Sequence, residues 1–502
     1  MSAPTEDPDA AELTPAQRHA LHRAIEGLRE DDPLRSAAVA VVGWQRVLLW
    51  SALLITIVCA VKWSMATAVV LVGVSTVAYL LTMTDRVLIF RQGLRSRPIG
   101  ISDEAARAIP DEDLPRYTIL VPAYNEPEVV GDLIGAMAAL EYPRDKLQVL
   151  LLLEADDDVT IAAARACAES EAITLCLVPP AHPRTKPKAC NYGLHFATGE
   201  IVTIYDAEDL PEPLQLRRVV AAFRSLPDNV ACVQAKLVYH NGHQNILTAW
   251  FTAEYGLWFG YLLPGMMVST SPIPLGGTSN HLRREVLDEI GAWDPFNVTE
   301  DADLGLRIAS SGYHTAVIDS YTLEEANSDP INWVRQRSRW YKGYLQTWLV
   351  QIRRPVRLYK TVGFRSFLRF NLVLGGTPIV SVLNLVFWLI TVLWFLGQPK
   401  VVEEVFPPYI YFPALVALVL GNAATIMMNL IALREDDRSD LLLAAITVPI
   451  FWVMMSVAAA KGLYQMIRNP SYWEKTFHGL ADKPPEHPAD TQKPDTRKAG
   501  AP

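Results

Sequence analysis

Residues 201–209 read Ile-Val-Thr-Ile-Tyr-Asp-Ala-Glu-Asp, an apolar run that ends directly in acidic side chains. The β-branched half predicts a buried strand. Similar apolar runs lie at 117–122, 148–153, 173–178 and 230–234, with helical patterns between them. This alternation predicts an α/β fold with a mostly parallel sheet. Ligands of such sheets bind at the carboxyl ends of the strands, which is where these acids fall.

The composition predicts membrane helices on both sides of this domain. The chain has 502 residues, of which 50% are hydrophobic, and a formal net charge of −9 that argues against nucleic-acid binding. Five apolar segments, at 46–62, 64–84, 371–397, 409–433 and 441–467, are each near the ~20 residues that cross a bilayer. The five cysteines lie far apart without a CxxC pair, which predicts reduced, structural thiols.

These features predict six regions. They are an N-terminal cytosolic tail (1–45), a transmembrane hairpin (46–84), the α/β domain (85–345), basic interfacial helices (346–370), a transmembrane or channel region (371–467) and a C-terminal tail (468–502). We expect 1–35 to be mostly disordered or loosely helical, with one helical stretch near 16–30, and the residues after Gly479 to be disordered.

Basic residues flank the domain and predict that it lies in the cytosol. They are Arg86, Arg91, Arg95, Arg97, Arg353, Arg354, Arg357, Lys360, Arg365 and Arg369. The segment 398–410 between two apolar runs has only Lys400, beside two glutamates. Five crossings would leave the C-terminus outside, whereas Lys461, Arg468 and Lys475 favour the inside. One segment is therefore expected to be re-entrant, interfacial or split in two.

Acids after two of the strands predict a donor and metal site. Asp206 and Glu208 are one residue apart, so their carboxylates could share a hard divalent ion such as Mg²⁺ or Mn²⁺ on a diphosphate. Glu154 and Asp156 follow the strand at 148–153 and are assigned to nucleotide contacts. The other acids of these clusters are assigned to solvent: Asp157, Asp158 and Asp209.

A third acidic cluster is Thr299-Glu300-Asp301, which precedes a helical pattern at 302–310. A helix N-cap with first-turn acids would explain Thr299 and Glu300. The functional interpretation makes Asp301 the general base, which takes the proton of an attacking hydroxyl.

Four further motifs remain open between binding and structural roles. The strand end at 119–126 could form a base and ribose pocket or an ordinary cap. Lys186 lies in a basic segment, 184–191, that could contact phosphate or be solvated. In 336–340, arginines could bind diphosphate and a tryptophan could face a sugar ring, or the helix could simply lie on the membrane interface. The aromatic segment 250–275 and the following Gly-Gly-Thr-Ser-Asn-His could line an acceptor path or belong to the core.

In order and spacing, these motifs resemble the membrane-integrated, processive family-2 glycosyltransferases, the group of cellulose synthase and hyaluronan synthase, over roughly residues 115–345. The resemblance implies a GT-A-type, Rossmann-like cytosolic domain inserted between transmembrane helices. It implies that Asp206 and Glu208 hold Mg²⁺ or Mn²⁺ and that Asp301 is the catalytic base. The implied donor-binding residues are Ala123, Glu126, Glu154, Asp156, Lys186, Gln336, Arg337 and Arg339. The implied acceptor-binding residues are Trp340, Glu300, Thr278 and Asn280.

The same resemblance covers a late segment and shows three departures. Residues 469–479 read Asn-Pro-Ser-Tyr-Trp-Glu-Lys-Thr-Phe-His-Gly and are expected near the active site or channel mouth. The metal motif has Glu208 where aspartate is commoner, and residues 154–156 read Glu-Ala-Asp in place of Asp-Asp-Gly. The tail is short for a PilZ-like domain, so regulation by a cyclic dinucleotide is not expected.

The expected function is an inverting hexosyltransferase that elongates a β-linked polysaccharide from a UDP- or GDP-hexose and translocates it. Its expected place is the bacterial inner membrane, with a nucleotide-sugar donor, a glycan acceptor, the lipid bilayer and export proteins as partners, and no nucleic acid. One alternative is transfer of a single sugar to a polyprenyl-phosphate carrier. Another is a transporter or channel with an inert cytosolic domain.

Overall fold

The computed structural model describes residues 13–167, 173–397, 399–470, 472–476 and 479–481. Its centre is one sheet with strands β1 (Tyr117–Ala123), β2 (Leu147–Glu154), β3 (Ile173–Val178), β4 (Ile201–Ile204), β5 (Leu210–Pro211), β6 (Val230–Tyr239), β7 (Asn280–Arg283) and β8 (His314–Glu324). The spatial order is β3-β2-β1-β4-β7-β6-β8-β5. The α/β prediction with a mostly parallel sheet is confirmed, and all five predicted strands are present.

The helices begin with α1 (Pro15–Asp31), α2 (Gly43–Lys62), α3 (Ser64–Arg95) and α4 (Asp103–Arg107). Those within the sheet region are α5 (Val130–Ala138), α6 (Asp158–Cys167), α7 (Lys186–Leu194), α8 (Gln215–Ser225), α9 (Ile246–Leu257), α10 (Leu263–Val268), α11 (Arg284–Glu289) and α12 (Glu300–Ser310). The remainder are α13 (Pro330–Gln351), α14 (Pro355–Phe370), α15 (Thr377–Gly397), α16 (Lys400–Val405), α17 (Pro408–Glu435) and α18 (Leu442–Arg468). Short π-helical turns, Trp258–Leu262 and Asn371–Gly376, join α9 to α10 and α14 to α15.

Two apolar layers bury the sheet. β1 pairs in parallel with both β2 and β4, and β2 pairs in parallel with β3. Alternate residues of these strands enter separate clusters, so that Leu120 packs in one and Ile119 in the other. Because both faces are covered, the strands read as continuous apolar runs in the sequence. The three carboxyl ends of β2, β1 and β4 therefore meet at one edge of the sheet.

The N-terminal segment is more ordered than the sequence predicts. The expected helix near 16–30 is present as α1, which begins with a capping box at Thr14 and Gln17. Ala20 and Ala24 of α1 are buried in the same apolar cluster as α7, and Asn191 Nδ2 donates to the Ala24 carbonyl at 3.0 Å. The described part of the tail is thus docked on the sheet domain. Residues 1–12 and the tail after 481 lie outside the described residues.

Five helical segments in the described chain are long and apolar enough to cross a membrane: Gly43–Lys62, Ser64–Arg95, Pro355–Gly397, Pro408–Glu435 and Ser439–Arg468. They contain the five predicted apolar segments. Their apolar side chains are largely exposed on the protein, with Val61 81% and Phe395 83% accessible, as lipid-facing surfaces would be. The second segment continues well past the predicted end of the hairpin at 84, as α3 reaches Arg95.

The last of these segments contacts the sheet domain, or the helix that follows this domain, near both of its ends. Near its start, Trp250 Nε1 of α9 donates to Thr447 Oγ1 at 2.9 Å. Towards its end, Gly462 packs against the backbone of Ser338 and Lys342 in α13. Both ends of α18 therefore contact the sheet domain or the helix that follows it, and α18 runs alongside α13.

Candidate active site

The carboxyl ends of three neighbouring strands bring the predicted donor residues together. Ala123 ends β1, Glu154 ends β2 and Asp206 follows β4 by two residues. All three line a cavity of about 640 Å³ that opens at this edge of the sheet. Other predicted residues on its wall are Glu126, Lys186, Glu208, Glu300, Asp301, Gln336, Arg337, Arg339 and Trp340.

Glu154 is held by a lysine that the sequence interpretation did not single out. The Nζ of Lys188 lies 2.7 Å from Glu154 Oε1, and the side chains are 0% and 8% exposed. Burial raises the pKa of Glu154 and lowers the pKa of Lys188, while their ion pair opposes both shifts. Asp156, two residues on, instead binds Arg184 at the surface and is not on the cavity wall.

Asp206 forms an ion pair with Lys186, whose Nζ also donates to the Gly277 carbonyl at 2.8 Å. Burial alone would lower the pKa of Lys186, but the carboxylates of Asp206 and Glu300 raise it. Lys186 is therefore a fixed cation beside the acid cluster.

The two acids assigned to a metal suit a hard divalent ion that is bound partly by the protein and partly by a diphosphate. Asp206 and Glu208 both line the cavity and are both only partly buried. In the part of the chain that the structure describes, no group of three His, Cys, Asp or Glu side chains converges as a metal site. Mg²⁺ is commonly bound by only one or two carboxylates together with substrate phosphates, so this pair of acids fits such an ion.

Asp301 lies in the first turn of α12, whose N-cap is Thr299. Its Oδ1 accepts from the backbone N–H of Ala302 at 2.7 Å. Burial raises the pKa of Asp301, while the positive charges of Lys186 and Arg339 lower it. Burial and the neighbouring Asp301 raise the pKa of Glu300 to about 7. A carboxylate with a raised pKa, held beside two cations, has the properties of a general base.

The helix α13 carries the predicted Gln-Arg-Ser-Arg-Trp motif to the same cavity. Arg339 interacts electrostatically with Glu300, Asp301 and Asp206, and burial lowers its pKa. The buried Oε1 of Gln336 and Nε of Arg339 have no hydrogen-bond partner among the residues that the structure describes. These atoms are therefore open to groups of a ligand.

Glycine at 343 sets the distance between α13 and the N-terminus of α12. A Cβ at this position would lie 2.8 Å from Cβ of Thr299 and closer still to its Oγ1 and Cγ2. The close approach of backbone and Thr299 places the motif of α13 beside Asp301. The sequence interpretation missed this contact, because its signal is a single glycine in a helical pattern.

Comparison with known proteins accounts for this arrangement. Residues 115–343 match the family model described as "Glycosyltransferase like family 2". This region is a family-2 glycosyltransferase domain. It covers the acidic clusters, the basic segment 184–191 and the motif of α13, whereas the late segment 469–479 lies outside it. Its mixed, mostly parallel sheet is of the GT-A type.

Curated relatives match about half of the chain. A probable glycosyltransferase, YdaM, of Bacillus subtilis is 27% identical over 240 residues, which is 46% of this chain and 56% of the relative. A beta-monoglucosyldiacylglycerol synthase of Synechocystis sp. is 26% identical and covers 54% of this chain and 57% of the relative. The catalytic subunit of cellulose synthase 1 of Komagataeibacter xylinus is 26% identical, over 48% of this chain and 32% of the relative. The match thus spans little more than half the length of the first relatives.

A mannosyltransferase of Pyrobaculum calidifontis, solved in complex with GDP-Man and Mn²⁺, is similar in structure. It is 20% identical, with a TM-score of 0.48, and the alignment covers 79% of this chain and 99% of that chain.

Two acidic side chains of the glycosyltransferase domain that were predicted to be exposed to solvent are buried. Asp209 is 1% exposed; it accepts from the backbone N–H of Asp206 at 2.8 Å and from the hydroxyl of Thr278. Asp157 is 6% exposed and accepts from the backbone N–H groups of Asn125 and Thr160. Both acids fix a loop beside the cavity. Asp158, in contrast, is exposed as predicted.

Two residues assigned to the acceptor, Thr278 and Asn280, lie behind the cavity wall of the glycosyltransferase domain. Each is 1% exposed, and neither lines the cavity. Thr278 donates to Asp209, and Asn280 Nδ2 donates to the Gly276 carbonyl at 2.8 Å. Their bonds hold the segment that carries Gly277, so the structure gives them a supporting position in place of direct acceptor contact.

Arg337 also occupies a different place from its neighbours in the motif. Its guanidinium binds Glu254 of α9, with 3.1 Å between Nη1 and Oε1, and lies 4.6 Å from the centroid of the Trp340 ring. The Trp340 ring in turn packs near Phe251, at 5.8 Å. Arg337 thus supports the indole that is assigned to the acceptor sugar.

The segment after α18 crosses the mouth of the cavity. The Arg339 guanidinium lies 4.5 Å from the centroid of the Trp473 ring. Lys475 Nζ donates to the Tyr124 carbonyl at 2.8 Å, beside the end of β1. Trp473, Lys475 and Thr476 line the cavity, which agrees with the place expected for this segment. Ser471, Phe477 and His478 of the motif lie outside the described residues.

Proposed function

We propose that this protein is an inverting glycosyltransferase that elongates a β-linked polysaccharide from a UDP- or GDP-hexose and passes it across the membrane. The observation that carries the proposal is the extent of the cavity. Its wall begins at the strand ends of the glycosyltransferase domain and continues to polar side chains on the apolar helices, among them Ser381, Asn384 and Asn429. A growing glycan needs such a path from the site of transfer to the bilayer.

The proposed step is one displacement at the anomeric carbon of the donor. A hydroxyl oxygen of the acceptor attacks this carbon, Asp301 takes the hydroxyl proton, and the nucleoside diphosphate leaves with the electrons of the broken bond. A single displacement inverts the anomeric configuration. A divalent ion held by Asp206 and Glu208 would neutralise the leaving diphosphate. Among the described residues, Arg339 has an unpartnered Nε–H that could donate to the same group, and Lys186 adds a fixed positive charge.

The proposed acceptor position is the face of Trp340, beside Glu300. The indole lines the same cavity as the acid cluster and the apolar helices, and an aromatic face suits the apolar side of a sugar ring. The flanking basic residues favour a cytosolic glycosyltransferase domain in a bacterial inner membrane. The donor would then come from the cytosol, and export proteins could receive the product.

A second candidate is transfer of one sugar to a membrane lipid, including a polyprenyl phosphate. The aligned beta-monoglucosyldiacylglycerol synthase and the apolar residues on the helix side of the cavity favour it, for example Leu372 and Val448. An inert domain beside a transporter or channel is disfavoured, because an unused site would not need converging acids, Lys186 and Arg339.

The test uses purified full-length protein in nanodiscs with a panel of UDP- and GDP-hexoses and Mg²⁺ or Mn²⁺. We expect release of nucleoside diphosphate and a β-linked polymer by linkage analysis. A single sugar on lipid as the only product would reject polymer synthesis in favour of the second candidate.

Asp301→Asn tests the chemistry in the same preparation. It should abolish transfer while binding of the nucleoside diphosphate persists, because the proposed base acts on the acceptor hydroxyl. Asp158→Asn is the matched control, since Asp158 is an exposed acid of the same domain. Undiminished transfer by Asp301→Asn would reject the assignment of the base.

A further inference from the structure

Arg86 places a positive charge in the part of the cavity that lies between the glycosyltransferase domain and the apolar helices. It belongs to α3, and its side chain lines the cavity. Glu254 of α9, Tyr341 of α13 and Tyr79 of its own helix interact electrostatically with it. Its buried Nε has no hydrogen-bond partner among the described residues.

The single carboxylate near Arg86 is already engaged. Arg337 binds both oxygens of Glu254 through its two terminal nitrogens. The other acid close in sequence, Asp85, accepts from Arg369 Nε at 3.1 Å. Arg337 thus binds Glu254 directly, whereas the interaction of Arg86 with Glu254 is electrostatic, and the buried Nε of Arg337 has no hydrogen-bond partner in the part of the chain that the structure describes.

An uncompensated buried guanidinium is costly unless an anion compensates it. Ionisable side chains on membrane-level helices are rare, and they usually face a partner or a substrate path. The surroundings also offer neutral polar groups on the same wall, including Ser381, Asn384 and Thr425. The positive charge, the unpartnered donors and the polar wall together suit an anionic ligand that enters along the acceptor path.

We propose that Arg86 forms a subsite for an anionic group of the acceptor, a phosphate or a carboxylate. The inference rests on the proposed function, because it assumes that the acceptor occupies the helix side of the cavity. Arg86 would bind the anion through its unpartnered Nε–H, and the electrostatic attraction of Glu254 would favour the charged guanidinium. The charged group could come from a lipid phosphate or from an acidic sugar.

The experiment compares matched acceptors with full-length protein in nanodiscs. Dodecyl β-glucoside and dodecyl β-glucuronide differ only in the carboxylate, and dodecyl phosphate supplies the lipid phosphate. We expect Arg86→Gln to raise KM for the glucuronide roughly ten- to hundredfold, as for a lost charged hydrogen bond, and to leave KM for the glucoside within about twofold. Arg86→Lys should give a KM for the glucuronide between those of the wild type and Arg86→Gln, because lysine keeps the charge without the planar guanidinium.

The control variant is Arg91→Gln, an exposed arginine of the same helix, which should leave both KM values unchanged. Equal effects of Arg86→Gln on the neutral and charged acceptors would overturn the subsite. If none of these alkyl acceptors is glycosylated, the proposed function is still decided by the polymer assay above, and binding decides the subsite. Dodecyl phosphate or the glucuronide should then raise the Tm of the wild type more than that of Arg86→Gln; equal Tm shifts in both proteins reject the inference. The anion that gives the larger Tm shift in the wild type indicates whether the charged group is a lipid phosphate or an acidic sugar.

Discussion

Substitution of Gly343 by alanine tests whether the spacing of α12 and α13 controls catalysis. The added methyl would lie 2.8 Å from Cβ of Thr299, about 1 Å inside normal carbon contact. Rotation of the Thr299 side chain cannot relieve this, because Cβ itself is in the way. The first turn of α12, which carries Asp301, must therefore move away from the helix that carries Arg339.

The expected loss is larger in rate than in stability. A displacement of about 1 Å at a reacting group can cost about a hundredfold in rate. Overpacking costs ~1–3 kcal/mol, but alanine gains up to ~1 kcal/mol over glycine inside a helix, so the net destabilisation should be at most ~2 kcal/mol. We expect Gly343→Ala to lower kcat for sugar transfer about a hundredfold, with little change in KM for the donor and a folded protein by Tm.

Gly135→Ala is the matched control, because Gly135 lies within α5 and a Cβ there meets no atom within 4 Å. It should keep the wild-type kcat. In the double variant Gly343→Ala/Thr299→Gly the three clashing atoms are gone, so kcat should recover at least tenfold relative to Gly343→Ala (roughly half of the expected loss in free energy). Wild-type kcat in Gly343→Ala, or no recovery in the double variant, would refute the role of this contact.

Three further predictions concern stability and membrane topology. Burial lowers the pKa of His281 to about 3, so the folded protein excludes a proton that the unfolded chain binds below pH ~6.5. The free energy of unfolding should therefore fall as the pH drops from ~6.5 towards 3, by up to ~1.4 kcal/mol per pH unit. The variant His281→Gln should show a shallower fall of Tm with pH. Lys188→Met should cost ~3–5 kcal/mol in unfolding experiments, because it leaves Glu154 buried and unpaired, and the added change Glu154→Gln should restore part of the loss; an unchanged Tm in the single variant would contradict this. Both ends of α18 contact the sheet domain or α13, so we expect α18 to lie at the interface without crossing the membrane. Single cysteines introduced at Glu404 and Ala481 should then react with an impermeant maleimide from opposite faces of oriented vesicles. Labelling of both cysteines from the same face would contradict an interfacial α18.

The fold could be predicted wherever local sequence determines structure. β1, β2 and β4 are buried on both faces, so their apolar runs identified them directly. β7 was missed because its four residues, Asn280–Arg283, are mostly polar and owe their strand conformation to pairing with β4 and β6. The five apolar segments were found by length, but only tertiary contacts distinguish α18 from the others.

The site was predictable by motif and less so by side-chain role. Asp209 looked solvated because its partner Thr278 lies 69 residues away, and no local pattern reports such a bond. Helical periodicity could have indicated these roles. Gln336, Arg339 and Gly343 share one stripe of α13 at spacings of three and four residues, whereas Arg337 and Trp340 are three residues apart on a neighbouring stripe and can contact each other.

The same periodicity explains how one helix can join the chemistry to the membrane. Gly343 continues the stripe of Gln336 and Arg339 and meets the N-terminus of the catalytic helix. Another face of α13 packs on Gly462 of α18, and the buried Lys342 donates to the Tyr472 carbonyl of the segment that crosses the cavity. Burial lowers the pKa of Lys342 to about 8, so this lysine is charged at neutral pH but its pKa lies only about one unit above it. A shift of α13 would therefore move the donor-side atoms, the covering segment and α18 together. For a transferase whose product must leave through the helices, such a shared element would couple the position of the acceptor to the geometry of transfer.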